Sequence, residues 1–500
     1  MPKTTTISVR PSLSLRLEKF RLFSDTKWFR LAPLTILVGR NSSGKSSIIN
    51  SLLLLKQSIE HEAMTPTLTP LSLVGPYCDL GNYADLVHNH DEASPVAISF
   101  GAPFAALKPI QYDLNNPLYR LSTRRSHGYR IGYYTRWSET KLPSSGSVRA
   151  RLSFSANEPF GPSLNRMELA VDNVGAARLV RTVSGELKQH WRIYSKGLPP
   201  RSLIVHPSRA FFPFVDIREA SYNSSDPRSK HSLRTFIAAV QGLFSLITRS
   251  LFLSNVIGPF RTPPERRYTF AGLGSTRNLP SGEGSVDLMI TELLLAAEQS
   301  RPLHDAASFW IRHLRLADSL DVRDIAKRLN LFEIDVAGAG RGTSANLSDV
   351  GFGLSQILPV VVQGLQMRPG SIYLVQQPEI HLHPDAQADL ADFFIYLATK
   401  GVMTIVETHS EYLLLRIRRR LAEGGMPVDT GLPFDSRSQT ALTKNDVSVV
   451  LTDYDSKDQS RLTELEIGDA FQFNNLPTGF MNQAMQDRLE LLKALGGTYE

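Results

Sequence analysis

Five hundred residues, 42% hydrophobic and 21% charged, make a chain long enough to bury a large core and to divide into about two to four domains. No apolar run approaches the roughly eighteen residues of a membrane span, and Met1-Pro2-Lys3-Thr4 lacks the apolar stretch of a signal peptide, so a cytoplasmic protein without a membrane partner is expected. The single cysteine, Cys78, excludes a disulfide framework and a thiolate metal site, and a net charge of +7 permits an acidic partner such as nucleic acid without requiring one.

From the N-terminus, residues 7–38 alternate as a hairpin does, with Ile7, Val9, Leu13, Leu15 and Leu17, then Phe20 and Phe23, then the apolar run Leu34-Thr35-Ile36-Leu37-Val38. That run feeds Gly39-Arg40-Asn41-Ser42-Ser43-Gly44-Lys45-Ser46, which fits G-x-x-x-x-G-K-[ST], and a helical pattern opens at Ser47. Strand, glycine loop and helix is the context in which this spacing has chemical meaning. Backbone N–H groups from Gly39 to Ser47 curl around phosphate oxygens, and the helix adds its positive dipole end. Lys45 is expected to reach the β- and γ-phosphates of ATP, and Ser46 to hold Mg²⁺.

Residues 96–205 carry short alternating stretches separated by Pro, Gly, Ser and Asn, which predicts an antiparallel accessory sheet. Arg120, Arg124, Arg125, Arg149 and Arg151 interleave with tyrosines there, as a nucleic-acid face would or as the solvated faces of half-buried strands do. From 230 to 330 the period becomes helical, over 233–248, 285–300 and 306–329, with an irregular Pro- and Arg-rich loop at 257–268. This predicts an α-helical subdomain.

Next, Asn346-Leu347-Ser348-Asp349-Val350-Gly351-Phe352-Gly353-Leu354-Ser355-Gln356 opens an apolar helix, giving either a second anion-binding terminus or a simple helix cap. A buried-strand pattern then ends in Gln376-Gln377-Pro378-Glu379, where Walker B carboxylates belong, and 402–406 is another, followed by Glu407-Thr408-His409. Strands ending in polar groups on one edge suit a mostly parallel sheet that binds ligands at its carboxyl ends. His381, His383 and His409 with Glu379 suggest nucleotide sensing and packing, or a transition-metal site. Arg416, Arg418, Arg419 and Arg420 lie on one helix, as a solvated face or a surface for DNA or a partner. Asp453 and Asp455 follow a last strand-like run.

Over roughly 1–95 and 330–455, in stretches such as 39–57, 347–359, 377–387 and 407–416, the chain resembles the ABC/SMC-like P-loop ATPases of bacteria. The group is the AAA/OLD type, with overcoming-lysogenization-defect ATPases and the ATPase subunits of Septu- and PARIS-type anti-phage systems. The fold expected is α/β, an ABC/SMC-like P-loop NTPase core with an inserted antiparallel β lobe and an α-helical subdomain. The division is 1–95 (core with Walker A), 96–228 (β-rich insertion), 229–330 (helical), 331–455 (core with signature loop, Walker B and switch histidine) and 456–500 (extension). The resemblance implies a head-to-tail ATP-sandwich homodimer or higher oligomer, with Lys45 and Ser46 acting in cis and Gly353-Leu354-Ser355 in trans. Ser348 and Ser355 both stay open as the signature serine. His409 matches the switch histidine, and Pro384-Asp385 a dimer contact.

One departure bears on activity. The pair that is Asp-Glu in the family, or Glu-Gln in the branch most like this chain, is Gln376-Gln377 here. Gln376 can bond a Mg²⁺-bound water but adds no charge to the metal, and Gln377 can orient a water but not take its proton. General-base catalysis is typically worth about 10²- to 10⁴-fold, so hydrolysis is expected to be slow unless Glu379 substitutes. The function expected is an ATP-switched dimeric sensor or scaffold in anti-phage defence, controlling a separate nuclease or toxin effector. The alternatives are an OLD-like ATP-regulated nuclease using Asp453 and Asp455, or a DNA-repair ATPase that binds DNA ends.

Overall fold

The computed structural model describes residues 12–64, 71–107, 142–156, 162–184, 188–196, 198, 203–205, 217–219, 226–270, 272, 279–295, 301–326, 329–338, 344–424, 442–455, 459–475 and 490. Ile7, Val9, Arg120, Arg124 and Arg125 lie outside them.

The chain begins with strands β1 (Leu13–Phe20), β2 (Phe23–Asp25), β3 (Phe29–Leu31) and β4 (Leu34–Gly39), and the glycine loop leads into helix α1 (Lys45–Met64). A one-turn helix α2 (Tyr83–Leu86) precedes β5 (Val96–Pro103), β6 (Ser147–Ser155), β7 (Ser163–Val171), β8 (Gly175–Ser184) and β9 (Lys188–Lys196). The short pair β10 (Leu203–Val205) and β11 (Ile217–Glu219) comes before the long helix α3 (Pro227–Phe252) and strand β12 (Asn255–Ile257). Then follow β13 (Tyr268–Thr269), α4 (Ser285–Leu295), α5 (Pro302–His313), β14 (Ser319–Ala326), β15 (Leu331–Ala337) and β16 (Ser344–Asn346). The last part holds α6 (Phe352–Leu365), β17 (Ile372–Gln376), α7 (Pro384–Thr399), β18 (Met403–Glu407), α8 (Glu411–Ala422), β19 (Val447–Tyr454) and β20 (Ser460–Leu465).

A six-stranded sheet in the order β12-β17-β18-β4-β19-β20 forms the centre. All its neighbours run parallel except β19 and β20. Parallel strands covered on both faces read as unbroken apolar runs, and every residue of β4 is buried. Alternate side chains enter two different cores. Leu37, Leu374 and Ile405 join one with α1, α3 and the antiparallel strands; Ile36, Val38, Tyr373, Val375 and Val406 join the other with α4 to α8. The sheet's carboxyl edge collects the ends of β4, β17, β18 and β19, each of which leads into polar residues. The second large sheet, β2-β1-β5-β6-β7-β8-β9 with β3 also on β1, is antiparallel, and β1 meets β5 with Leu17 opposite Ile98.

Two readings of the sequence change. The helical pattern over 306–329 ends at His313, and Ser319–Ala326 is strand β14. Leu320 and Val322 alternate with Asp321 and Arg323, and they pair with Val336 and Ile334 of β15. A period of two that buries one face of a hairpin wins over weak helical spacing. Helix α3 is long and apolar enough, by length and composition, to cross a membrane, whereas no such run was expected. It packs on α1, β6 and β7, and 78% of its apolar window is buried inside the protein.

Candidate functional site

The glycine loop is clasped between β2 and β19. Gly39 has φ of 145°, and a Cβ on it would sit 2.0 Å from the Thr452 carbonyl oxygen; Gly44 has φ of 111°, and a Cβ there would sit 2.5 Å from Phe23 Cζ. Side chains do not fit at either position. Ser43, fully buried, donates to the Arg40 carbonyl at 2.8 Å and shares a 2.6 Å hydrogen bond with Thr452 Oγ1. Arg40, Asn41 and Ser42 form the exposed lip, and Ser47 begins the buried course of α1. Lys45 Nζ donates to the carbonyls of Gly39 at 2.9 Å and Arg40 at 2.7 Å. Burial holds its ammonium below the ordinary lysine value, while the charges of Glu407 and Glu379 pull it back up.

The neighbouring strand ends supply polar groups. Ser46 Oγ donates to Glu407 Oε1 at 2.9 Å and lies 3.2 Å from Oε2. Gln376 stands opposite Glu407 in the β17–β18 ladder, and its Nε2 donates to Glu407 Oε2 at 2.9 Å. Gln377 takes a left-handed backbone with φ of 46°, and this turn sends the chain back so that Glu379 is buried beneath the loop after β18. There the His409 amide donates to Glu379 Oε1 at 2.6 Å, while Oε2 is buried with no hydrogen-bond partner. Burial raises the proton affinity of Glu379 even against that bond. His409 is exposed, and burial of part of its ring and the Lys45 charge lower its pKa. Arg261, from the Pro-rich loop, donates through Nη2 to the carbonyls of Gln376 at 2.9 Å and Gln377 at 3.1 Å. Its burial brings the guanidinium down to about 10.

Walker A, Gln376, Gln377, Glu379 and His409 therefore meet at one sheet edge. The contacts of Gly353, Leu354 and Ser355 are elsewhere: a Cβ on Gly353 would lie 2.9 Å from the His381 carbonyl, Leu354 packs in the second core, and the buried Ser355 donates to the Phe352 carbonyl at 3.0 Å. Ser348, half-buried, donates to Asn346 Oδ1 at 2.9 Å. Asp385 lies in the first turn of α7, capped by His383.

His381 and His383 are both exposed. Among the described residues the histidine and carboxylate atoms lying within 4.8 Å of one another belong to His313, Asp389 and Asp392. Arg416 and Arg420 already bond that cluster, at 2.7 Å and 2.8 Å to Asp392, so it is an ion-pair network. These two arginines are thus turned inward rather than onto a DNA surface, and Arg151 pairs with Glu18 at 2.7 Å. Asp453 ends a strand of the central sheet and faces Arg40 across 3.6 Å, while Asp455 accepts from the Gln459 amide at 2.9 Å.

Sequence reading missed Glu407, Arg261, Phe23 and Thr452. Glu407 left one signal, a carboxylate ending an otherwise apolar strand, but Arg261 reaches the site from a loop more than a hundred residues before Gln376 in the chain. The donor set fits Mg²⁺, which takes a few hard oxygens and keeps its remaining waters. The Ser46 hydroxyl and the Glu407 carboxylate offer such oxygens beside the phosphate loop.

Residues 313–414 match the family model described as an AAA ATPase domain, a stretch that includes Gly353, Gln376, Gln377, Glu379 and His409. No curated protein matches the chain. Among solved structures the chain is similar to an Smc head bound to the C-winged helix domain of ScpA, at 12% identity and a TM-score of 0.41, covering 91% of this chain and 98% of that one. It is similar to the Smc head domain with an extended coiled coil bound to the C-terminal domain of ScpA from Pyrococcus furiosus, at 12% identity and 0.37, covering 97% and 100%. It is also similar to the SMC head domain from Thermotoga maritima, at 11% and 0.33, covering 91% and 100%. The glycine loop between strand and helix and the mostly parallel sheet order agree with an α/β P-loop NTPase fold, within which residues 313–414 match the AAA ATPase domain.

Proposed function

We propose that the chain is an ATP-binding switch of the cytoplasm, in which two copies close head to tail on two ATP molecules and the closed dimer controls a separate effector. One observation carries this reading: Lys45, Ser46, Glu379 and His409 gather at one sheet edge, whereas Gly353, Leu354 and Ser355 make their contacts away from the phosphate loop. A helix terminus whose contacts are with residues other than those of the glycine loop is suited to a partner's site. Phe352, 65% exposed at the start of that helix, belongs to the surface such a partner would cover.

In this reading the amides from Gly39 to Ser47 cradle the phosphates and Lys45 turns from the loop carbonyls to the β- and γ-phosphates. Ser46, with Gln376 through a water, would hold Mg²⁺, which when bound offsets phosphate charge. Glu379 Oε2 takes the proton of the attacking water, Gln377 orients that water, and His409 touches the γ-phosphate. With an amide at the usual base position, Gln377, turnover depends on Glu379. The link to anti-phage defence, with a nuclease or toxin as effector, rests on the resemblance of 1–95 and 330–455 to ATPase subunits of such systems.

The test is equilibrium binding of ATP to the purified chain together with its mass in solution. The expected result is doubled mass with ATP, not with ADP, and no ATP binding by Lys45→Ala. Binding without any change of mass overturns the dimer; absence of binding by the parent chain overturns the whole reading.

A further inference from the structure

We propose that Glu407 supplies the metal-binding carboxylate of this site, doing from strand β18 what an acid at position 376 does in other P-loop ATPases. The proposal rests on the reading that the Gly39–Ser47 loop binds ATP.

Strand register brings the two residues level. Gln376 and Glu407 are partners in a parallel ladder, and the amide of one donates to the carboxylate of the other at 2.9 Å. Glu407 thus places one negative charge level with position 376 at the sheet edge. The same carboxylate accepts from Ser46 Oγ at 2.9 Å, the hydroxyl that a phosphate loop offers to Mg²⁺. The expected metal contact, Ser46, and the carboxylate proposed here are thus already side by side.

Charge balance points the same way. Glu407 is 4% exposed, and its side-chain hydrogen bonds come from a neutral hydroxyl and a neutral amide. A buried carboxylate is costly unless a cation is bonded to it. Lys45 is near enough to be felt, but its hydrogen bonds go to the Gly39 and Arg40 carbonyls. A divalent cation taken up with ATP answers that need, and Gln376 then holds the carboxylate in position through Nε2, leaving its Oε1 for a metal-bound water.

The experiment measures binding of a fluorescent ATP analogue to the full chain, first in EDTA and then across a Mg²⁺ titration. Lys45→Ala should lose binding in both conditions. Glu407→Gln should keep binding in EDTA and need at least about tenfold more Mg²⁺ for half-effect, and adding Gln376→Glu to it should restore the parent midpoint. A parent-like midpoint in Glu407→Gln overturns this inference and leaves the ATP reading standing, whereas no binding by the parent chain overturns the ATP reading itself. A second measurement needs no change at 407. Mn²⁺ bound with a non-hydrolysable ATP analogue to chain labelled with ¹³C at its glutamate carboxylates should show a carboxylate coupling by pulsed electron paramagnetic resonance, retained in Glu379→Gln. Absence of that coupling overturns the inference.

Discussion

Glu379 has one carboxylate oxygen on the His409 amide and the other buried without a partner, which is why it is proposed as the base. Replacing it by Gln keeps shape and removes basicity. Glu379→Gln should lower the turnover number by about 10²- to 10⁴-fold while ATP affinity changes little, read by phosphate release and equilibrium binding. Because burial raises the proton affinity of this carboxyl above the ordinary glutamate value, the base form is lost at a higher pH than for an exposed glutamate. The acid limb of the pH–rate profile should therefore lie above the usual carboxylate range. A rate that stays flat down through that range would assign the proton transfer to another group.

Helices α7 and α8 are joined by charge as well as by apolar packing. Asp392, fully buried, accepts from Arg420 Nε at 2.8 Å and Nη2 at 2.9 Å and from Arg416 Nη1 at 2.7 Å, while Arg416 Nη2 reaches Asp389 at 2.7 Å. Burial pushes the Asp392 carboxyl up, but these donors overcome it and leave it at about 2. Removing one member of a buried pair leaves the other uncompensated, so Asp392→Asn should cost about 3 kcal/mol in urea unfolding. The pH dependence has a definite sign. The folded value lies below the unfolded one, so the stabilisation is complete above the ordinary aspartate range and is lost as pH falls through about 2. By linkage it amounts to about 2 kcal/mol, measurable as a drop in the melting temperature between pH 5 and acid on the order of a few degrees.

At the scale of the molecule, two cores press on opposite faces of one parallel sheet, and four strand ends open on the same edge. This frame sets the glycine loop among the strand ends, while the helix of Gly353 has other neighbours. Phe352→Asp, at a position 65% exposed, should spare ATP binding by the single chain and weaken ATP-dependent dimerisation by at least about tenfold, read by sedimentation with and without ATP. Unchanged dimerisation would mean that the copies meet through another surface.

The strand, glycine loop and helix of 34–64 were legible in the sequence because their geometry is local. Gly39, Gly44, Lys45 and Ser46 all lie within one strand–loop–helix unit, whose spacing is read directly from the chain. Buried strands ending in polar residues also announced the parallel sheet and its polar carboxyl edge, since a strand covered on both faces must be apolar throughout. The partners of those residues belong to tertiary structure. Glu407 opposite Gln376 depends on ladder register, Arg261 on a loop folding back over the turn after β17, and Phe23 against Gly44 on the meeting of two sheets. Arg416 and Arg420 read equally well as a solvated helix face until α7 set Asp389 and Asp392 beside them. Spacing along the chain specifies which side chains share a face of one element; which element that face meets is decided by how the cores close.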